Sequence, residues 1–295
     1  MRSQAYAYSD DVDGTRETSA GFFNMQGDLY LNWDLGGHLS VYIEQDVFRG
    51  TVEAFGTYAP KGHEGYVKLG GFLPNYGLRI DDHTAFVRGG NPRSLVDDGL
   101  FWEPNYADAG VEIGAELAEI EWTAGVYNGG TTATNVNRDK DVAVLLRGET
   151  HVEIGSLRAM IGLNAYSDES LVVDERMLLA GAFVGLGTQV WTLMAEADLA
   201  DAYLASAADE SAGAQSLAVF SEGTIRVRKS LHVVGRYEYF DPDTDVESGK
   251  FWRVAVGLEY FPRPYLEIKP MLRHTDQPDG QPDLDELLAQ THWWF

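Results

Sequence analysis

The most restrictive feature of this chain is a two-residue periodicity in which one face carries no charge. Successive side chains on a β-strand point to opposite faces. The stretch from Asp285 to Phe295 divides on that rule, with Leu287, Ala289, Thr291, Trp293 and Phe295 on one side and Glu286, Leu288, Gln290, His292 and Trp294 on the other. The pattern recurs along the chain. Phe23, Met25, Gly27, Leu29, Leu31 and Trp33 oppose Asn24, Gln26, Asp28, Tyr30 and Asn32. Leu231, Val233, Gly235, Tyr237 and Tyr239 oppose His232, Arg236 and Glu238, and Trp252, Val254, Val256, Leu258 and Tyr260 oppose Arg253 and Glu259. No Asp, Glu, Lys or Arg falls on the face read as outward. A soluble sandwich decorates its outer face freely, whereas a Lys or Arg at mid-membrane costs roughly 2–4 kcal/mol. The uncharged face therefore favours a transmembrane barrel over a soluble sandwich or propeller. The segment at 176–186 is apolar on both faces and leaves its parity open.

The connections alternate in length. Tight turns are predicted near Gly36-Gly37, Ala118-Glu119, Gly187-Thr188, Arg228-Lys229-Ser230 and Pro262-Arg263-Pro264. Longer polar loops are predicted at 10–18, 74–108, 129–139, 167–175, 200–213, 241–250 and 275–284. Counting a first strand at 3–9, the chain holds about 16 strands, and 295 residues leave each strand with its connection about 18 residues. The expected fold is all-β: one transmembrane antiparallel up-and-down β-barrel domain over residues 1–295, with short periplasmic turns and long exterior loops. Aromatics near the predicted strand ends (Trp33, Tyr58, Tyr239, Tyr260, Phe261, Trp293 and Phe295) suit interfacial girdles.

Composition narrows the chemistry. With 46 acidic against 22 basic side chains and a net charge of −24, nucleic acid is not an expected partner. Zero cysteines exclude disulfides, thiolate metal sites, CxxCH haem attachment and a cysteine nucleophile. No apolar run reaches the length of a membrane-spanning helix, and Met1-Arg2-Ser3-Gln4-Ala5-Tyr6 lacks the apolar core of a signal peptide. HExxH, GxSxG and P-loop motifs are missing, so no enzyme activity and no cofactor are expected. The seven histidines form no i, i+4 pair, and no metal site is expected. A barrel lipase needs a Ser/His pair on the outer wall, and the outward faces as read here contain no His. The acidic stretch Asp241 to Glu247 lacks the glycine of a calcium loop and has Trp252 where the bidentate Glu belongs.

Two stretches resemble known proteins. The terminal Phe295 with the alternation behind it resembles the C-terminal strand signature of bacterial outer-membrane barrels. The Lys68-Leu69-Gly70-Gly71-Phe72-Leu73-Pro74 stretch, fifth strand in this count and followed by the longest connection, is similar to the glycine-containing fifth strand of general porins. The resemblance implies an outer-membrane location and a mature chain whose signal peptide has been removed. It also implies an infolded constriction loop at 74–108, contact with the lipid bilayer and lipopolysaccharide, and passage of small hydrophilic solutes. A homotrimer is implied as well, although the very short second loop, Arg49-Gly50, leaves little chain to reach a neighbour.

The lumen-facing charges are distributed unevenly. Up to residue 128 they are Asp28, Glu44, Asp46, Glu53, Glu112, Glu116 and Glu121 against Lys68 alone, while later strands carry Arg147, Arg158, Arg226, Arg236, Arg253, Lys269 and Arg273 against seven acids, so the lumen-facing positions sum to −6. The expected constriction sets Asp81, Asp82, Asp97 and Asp98 of the infolded loop against a wall of Arg147, Arg158, Arg226, Arg236 and Arg253. The plainer alternative is that these charges satisfy one another. The functional expectation is a passive diffusion channel with a cation bias. A barrel that sheathes a partner protein, such as an electron-transfer or export complex, is the alternative.

Overall fold

The structure, a computed structural model, describes residues 1–12, 15–47, 50–62, 64–80, 82, 84–90, 107–129, 142–170, 172–278 and 280–294. Its strands are β1 (Arg2–Val12), β2 (Thr15–Gln26), β3 (Asp28–Gly36), β4 (Leu39–Asp46), β5 (Gly50–Tyr58) and β6 (Gly65–Phe72). Then follow β7 (Asp108–Leu117), β8 (Ile120–Tyr127), β9 (Ala143–Ile154), β10 (Leu157–Glu169), β11 (Arg176–Gly187) and β12 (Trp191–Ala205). The last are β13 (Gly213–Arg228), β14 (Leu231–Asp241), β15 (Phe251–Arg263), β16 (Leu266–Asp276) and β17 (Leu284–Trp293). All belong to one antiparallel sheet of 17 strands, which closes where β1 pairs with β17, Arg2 opposite His292 through Ser9 opposite Asp285. Closure leaves every neighbour hydrogen-bonded to the next, the condition a sheet must meet in hydrocarbon. β2 and β3 follow one another across Gly27 alone, β2 in register with β1 and β3 with β4, so the ring has sixteen staves.

Burial alternates along the staves as the sequence pattern requires, with buried residues facing the lumen and apolar ones facing out. Charged residues at outward parity (Glu169, Arg176, Asp201, Asp241, Asp276 and Asp285) sit only toward the long-loop ends of their strands. Three local expectations change. The run read as one face from Phe23 to Trp33 switches phase at a bulge on Met25, where Ser3 faces Asn24 but Arg2 faces Gln26: Phe22 and Asn24 point out, Phe22 being 89% exposed, while Met25 and Gln26 are buried and Leu29, Leu31 and Trp33 point out again. Met25 is the extra residue of this bulge, and one extra residue reverses the parity of all that follows. The predicted loop at 10–18 is largely strand, because β1 and β2 continue as a ladder to Val12 opposite Thr15. The last tight turn sits on Pro264-Tyr265, since β15 runs on through Arg263.

The two-sided strand at 176–186 now has a phase. Leu178 and Ala180 face outward, and Met177, Leu179 and Phe183 are buried on the inside. Met177 and Leu179 join a lumenal cluster with Phe72, Tyr76, Tyr127, Leu145 and Tyr166. This apolar inner patch exists because chain between β6 and β7 packs against it.

Leu163 is 65% exposed on the outward face of β10. Leu163→Arg is expected to lower the free energy of folding into bilayers by about 2–4 kcal/mol in urea titrations. A loss below about 0.5 kcal/mol, the scale of an ordinary water-exposed surface substitution, would place that face in water.

Candidate functional site

The segment 73–90 leaves β6 and lies inside the barrel. Pro74 is followed by Tyr76, Leu78, Ala85, Phe86 and Val87, all buried although none belongs to a strand. Two glycines let it approach the wall. At Gly77 (φ 58°) a Cβ would sit 2.2 Å from Glu196 Oε1, and at Gly89 (φ 80°) one would sit 2.5 Å from the Phe240 ring. Both take the left-handed conformation that glycine adopts without steric cost.

Polar contacts fix this segment to the staves from β9 to β17. Near its start, Arg147 Nη1 donates to Asn75 Oδ1 (3.0 Å) and to the Gly77 carbonyl (2.8 Å). The Tyr76 hydroxyl donates to Asp198 Oδ1 at 2.8 Å, and the Leu78 amide donates to Glu196. Arg88 pairs with Glu196 at 2.8 Å and donates to the carbonyls of Tyr76 and Leu78. Further along, Asp82 Oδ2 lies 2.8 Å from both Arg236 Nη2 and Lys269 Nζ. Thr84 donates its amide and hydroxyl to Asp82 Oδ1, and Gln290 Nε2 donates to the Thr84 hydroxyl at 2.9 Å. The Phe86 ring stacks under Arg253, whose guanidinium carbon is 3.7 Å from the ring centre, with Arg273 at 5.4 Å. The Phe86 amide donates to Glu238 Oε1 at 2.9 Å.

The wall is internally neutral. Glu222 stands directly opposite Arg236, Glu238 opposite Arg253 and Glu286 opposite Arg273 in the strand registers. Arg273 holds Glu286 by two bonds of 2.5 and 2.7 Å, Arg236 bonds Glu222 at 2.9 and 2.5 Å, and Arg253 reaches Glu238 at 3.3 Å. Arg253 is 0% exposed. Such charges are tolerable in a water-poor site only as complete pairs, because one partner alone carries its full desolvation cost. Burial alone raises the Asp82 carboxyl, but the charges of Lys269 and Arg236 outweigh it and hold it well below the ordinary aspartate range.

Of the residues named from the sequence, Asp82, Arg147, Arg236 and Arg253 come together around this segment. Arg158 and Arg226 do not: both face inward near the short-turn ends of β10 and β13, and Arg158 pairs with Glu153 in the open, its side chain 82% exposed. Parity placed them on the correct face, but parity carries no height along a stave. Asp81, Asp97 and Asp98 lie outside the described residues, as does Phe295. Sequence reasoning missed Tyr76, Thr84, Phe86, Glu196, Asp198 and Gln290 as anchors. The cross-strand Glu–Arg pairs were the available signal, since opposite charges directly facing each other stabilise a ladder.

One expectation about the outer wall is overturned. His274 faces outward and meets the facing Asp285 at 2.8 Å, with the Trp252 ring 5.5 Å away. Ser9 is the residue opposite Asp285 on its other side. The carboxylate therefore stands between hydroxyl and imidazole, and the Ser–His–Asp order of a hydrolytic relay is not formed.

No family model matches the chain and no curated protein matches it. Solved structures do, across nearly the whole length of both partners. OprB of Pseudomonas putida superposes with a TM-score of 0.67 at 9% identity, covering 100% of this chain and 93% of that one. The anion-selective porin of Comamonas acidovorans gives 0.63 at 11% identity, covering 100% and 99%. This is the porin fold. OmpT of Vibrio cholerae, an outer-membrane protein, gives 0.62 at 12% identity over 99% and 95%. The chain thus has the fold of an outer-membrane β-barrel and resembles general porins in structure.

Arg236→Ala leaves Asp82 and Glu222 facing each other without their shared cation, a loss of roughly 3–5 kcal/mol for a buried pair. Hydrogen exchange of the amides at Leu78, Thr84 and Phe86 is expected to speed up in this variant, and unchanged protection would contradict the docking. In the unaltered protein the Asp82 contribution is complete above the ordinary aspartate pKa of about 3.9. It is lost only as pH falls through the lower folded value, so protection should persist from neutrality down to about pH 4.

Proposed function

We propose that the protein is a passive diffusion porin for small hydrophilic solutes and ions, biased toward cations. The observation that carries this reading is the consumption of the basic wall. Arg147, Arg236, Arg253, Lys269 and Arg273 are buried in pairs with carboxylates and against the inner segment. The charge that remains in contact with open lumen is mainly acidic: Asp34, Glu116, Glu121 and Glu153 are exposed and Glu44 is partly so, against the exposed Arg158 and Arg226 at the short-turn mouth. Arg79, with its side chain 47% exposed, is the cation of the inner segment that faces this side and lies 3.7 Å from Glu53. Carboxylates along a low-dielectric passage raise the local cation concentration. The fold alone leaves the sign open, because an anion-selective porin shares it.

The inner segment narrows the lumen on the β9–β17 side and so acts as the constriction, with Asp82 as its clamp. On the opposite wall, β3 is exposed on both faces, inward Tyr30 and Asn32 included, so the short-turn mouth is wide there. A non-enzymatic channel follows from this reading. Lipopolysaccharide belongs to it at the outward acids of the long-loop rim, through divalent bridges. A homotrimer belongs to it as well. On the outward face of β17, β1 and β2 the small residues Ala289, Ala5, Ala7 and Ala20 lie beside the projecting Phe22 and Leu287, an apolar surface for a neighbouring barrel.

Planar-bilayer recording tests the proposal. In a salt gradient the reversal potential should indicate cations, and insertions should come in groups of three equal steps. An anion-side potential would overturn the selectivity, and a silent barrel would overturn the channel in favour of a sheath for a partner protein.

A further inference from the structure

A row of like charges at the short-turn mouth touches the docking just described only through Glu149, the partner of Arg147. In the registers of β7, β8 and β9, Glu116 stands opposite Glu121 and Glu121 stands opposite Glu149. All three face the lumen, within reach of the Ala118-Glu119 and Gly155 turns. Like charges directly opposite each other destabilise a strand pair, so this row favours a cation. His151 supplies a different kind of group. It lies two residues after Glu149, on the same face of β9, and its Nε2 is 3.8 Å from Glu121 Oε1. One ligand atom each from Glu121, Glu149 and His151 lie within 4.8 Å of one another, the only such grouping of three among the described residues.

We propose that Glu121, Glu149 and His151 bind a divalent metal ion of the zinc class. Zinc bonds of about 2.0–2.2 Å to imidazole and carboxylate separate tetrahedral ligand atoms by roughly 3.3–3.6 Å. The partly exposed glutamates close that gap by side-chain rotation. An imidazole beside two carboxylates suits zinc and its transition-metal neighbours, whereas calcium and magnesium take oxygen shells. Water completes the coordination. Arg147 bonds Glu149 Oε2 at 2.5 Å and at the same time holds Asn75 and Gly77 of the inner segment. It therefore orients one ligand from behind, as supporting groups of metal sites do, and links the ion to the segment. Linear spacing concealed this site because its ligands come from two neighbouring strands. Binding is measured directly, so its failure is distinct from failure of the porin reading.

The test is calorimetric titration of zinc chloride into the full-length barrel, folded in detergent at pH 7.5. The unaltered protein should bind one zinc ion at this site. His151→Ala and Glu121→Gln should each weaken it at least tenfold while circular dichroism stays that of the folded barrel. His274→Ala, on the outer wall, should bind as the unaltered protein does, and an equal concentration of calcium should not displace the zinc. Absence of zinc binding, undiminished binding in His151→Ala, loss in His274→Ala, or displacement by calcium would each overturn the proposal.

Discussion

A chain that crosses hydrocarbon with strands must pair every backbone amide and carbonyl within itself, because lipid offers no substitute for water. That constraint fixes the ring, the pairing of β1 with β17, and the outward uncharged face. It also creates the second problem of this molecule. A sixteen-stave ring encloses more space than its own side chains fill, and its inward positions carry charge that cannot be shared with lipid. The segment from 73 to 90 answers both, bringing Tyr76, Phe86 and Asp82 to a wall already paired strand to strand.

The electrostatic consequence reverses a simple reading of the residues. A wall of arginines facing a loop of acids suggests a transverse field across an aqueous gap. Here Arg236, Arg253 and Arg273 each have a glutamate directly opposite on the neighbouring strand, and Asp82 inserts between Arg236 and Lys269. The arginines around the inner segment are thereby spent on structure, and the exposed acids Asp34, Glu116 and Glu121 face the open lumen.

Most of the stave pattern was legible because lipid enforces it: a residue such as Leu163 or Val256 has only one environment that suits it. Legibility failed where that enforcement lapsed. Phe22, Phe23 and Met25 are all apolar, so the phase change at the Met25 bulge left no trace in polarity. Polar residues of β1 and β2 read as a loop, yet they continue the ladder toward Val12 and Thr15. The two-sided apolarity of β11 had a reason invisible in one dimension, the packing of Leu179 among Tyr76 and its neighbours. Arg158 and Arg226 share inward parity with Arg236 but sit at the short-turn mouth, and the outward His274 lies two residues past Leu272, the last apolar outward residue of β16.

The central claim, that the chain after β6, from Leu73 to Gly90 among the described residues, lies inside the barrel and seats on the wall from β9 to β17, is open to direct measurement. The Thr84 hydroxyl and the Gln290 amide nitrogen are 2.9 Å apart although 206 residues separate them in sequence. The chain has no cysteine, so the double variant Thr84→Cys, Gln290→Cys carries one pair alone. In the bilayer-folded protein a short bifunctional thiol reagent should join the two within the chain, seen as a cross-linked peptide by mass spectrometry. Free thiols at both positions in a folded barrel would contradict the account.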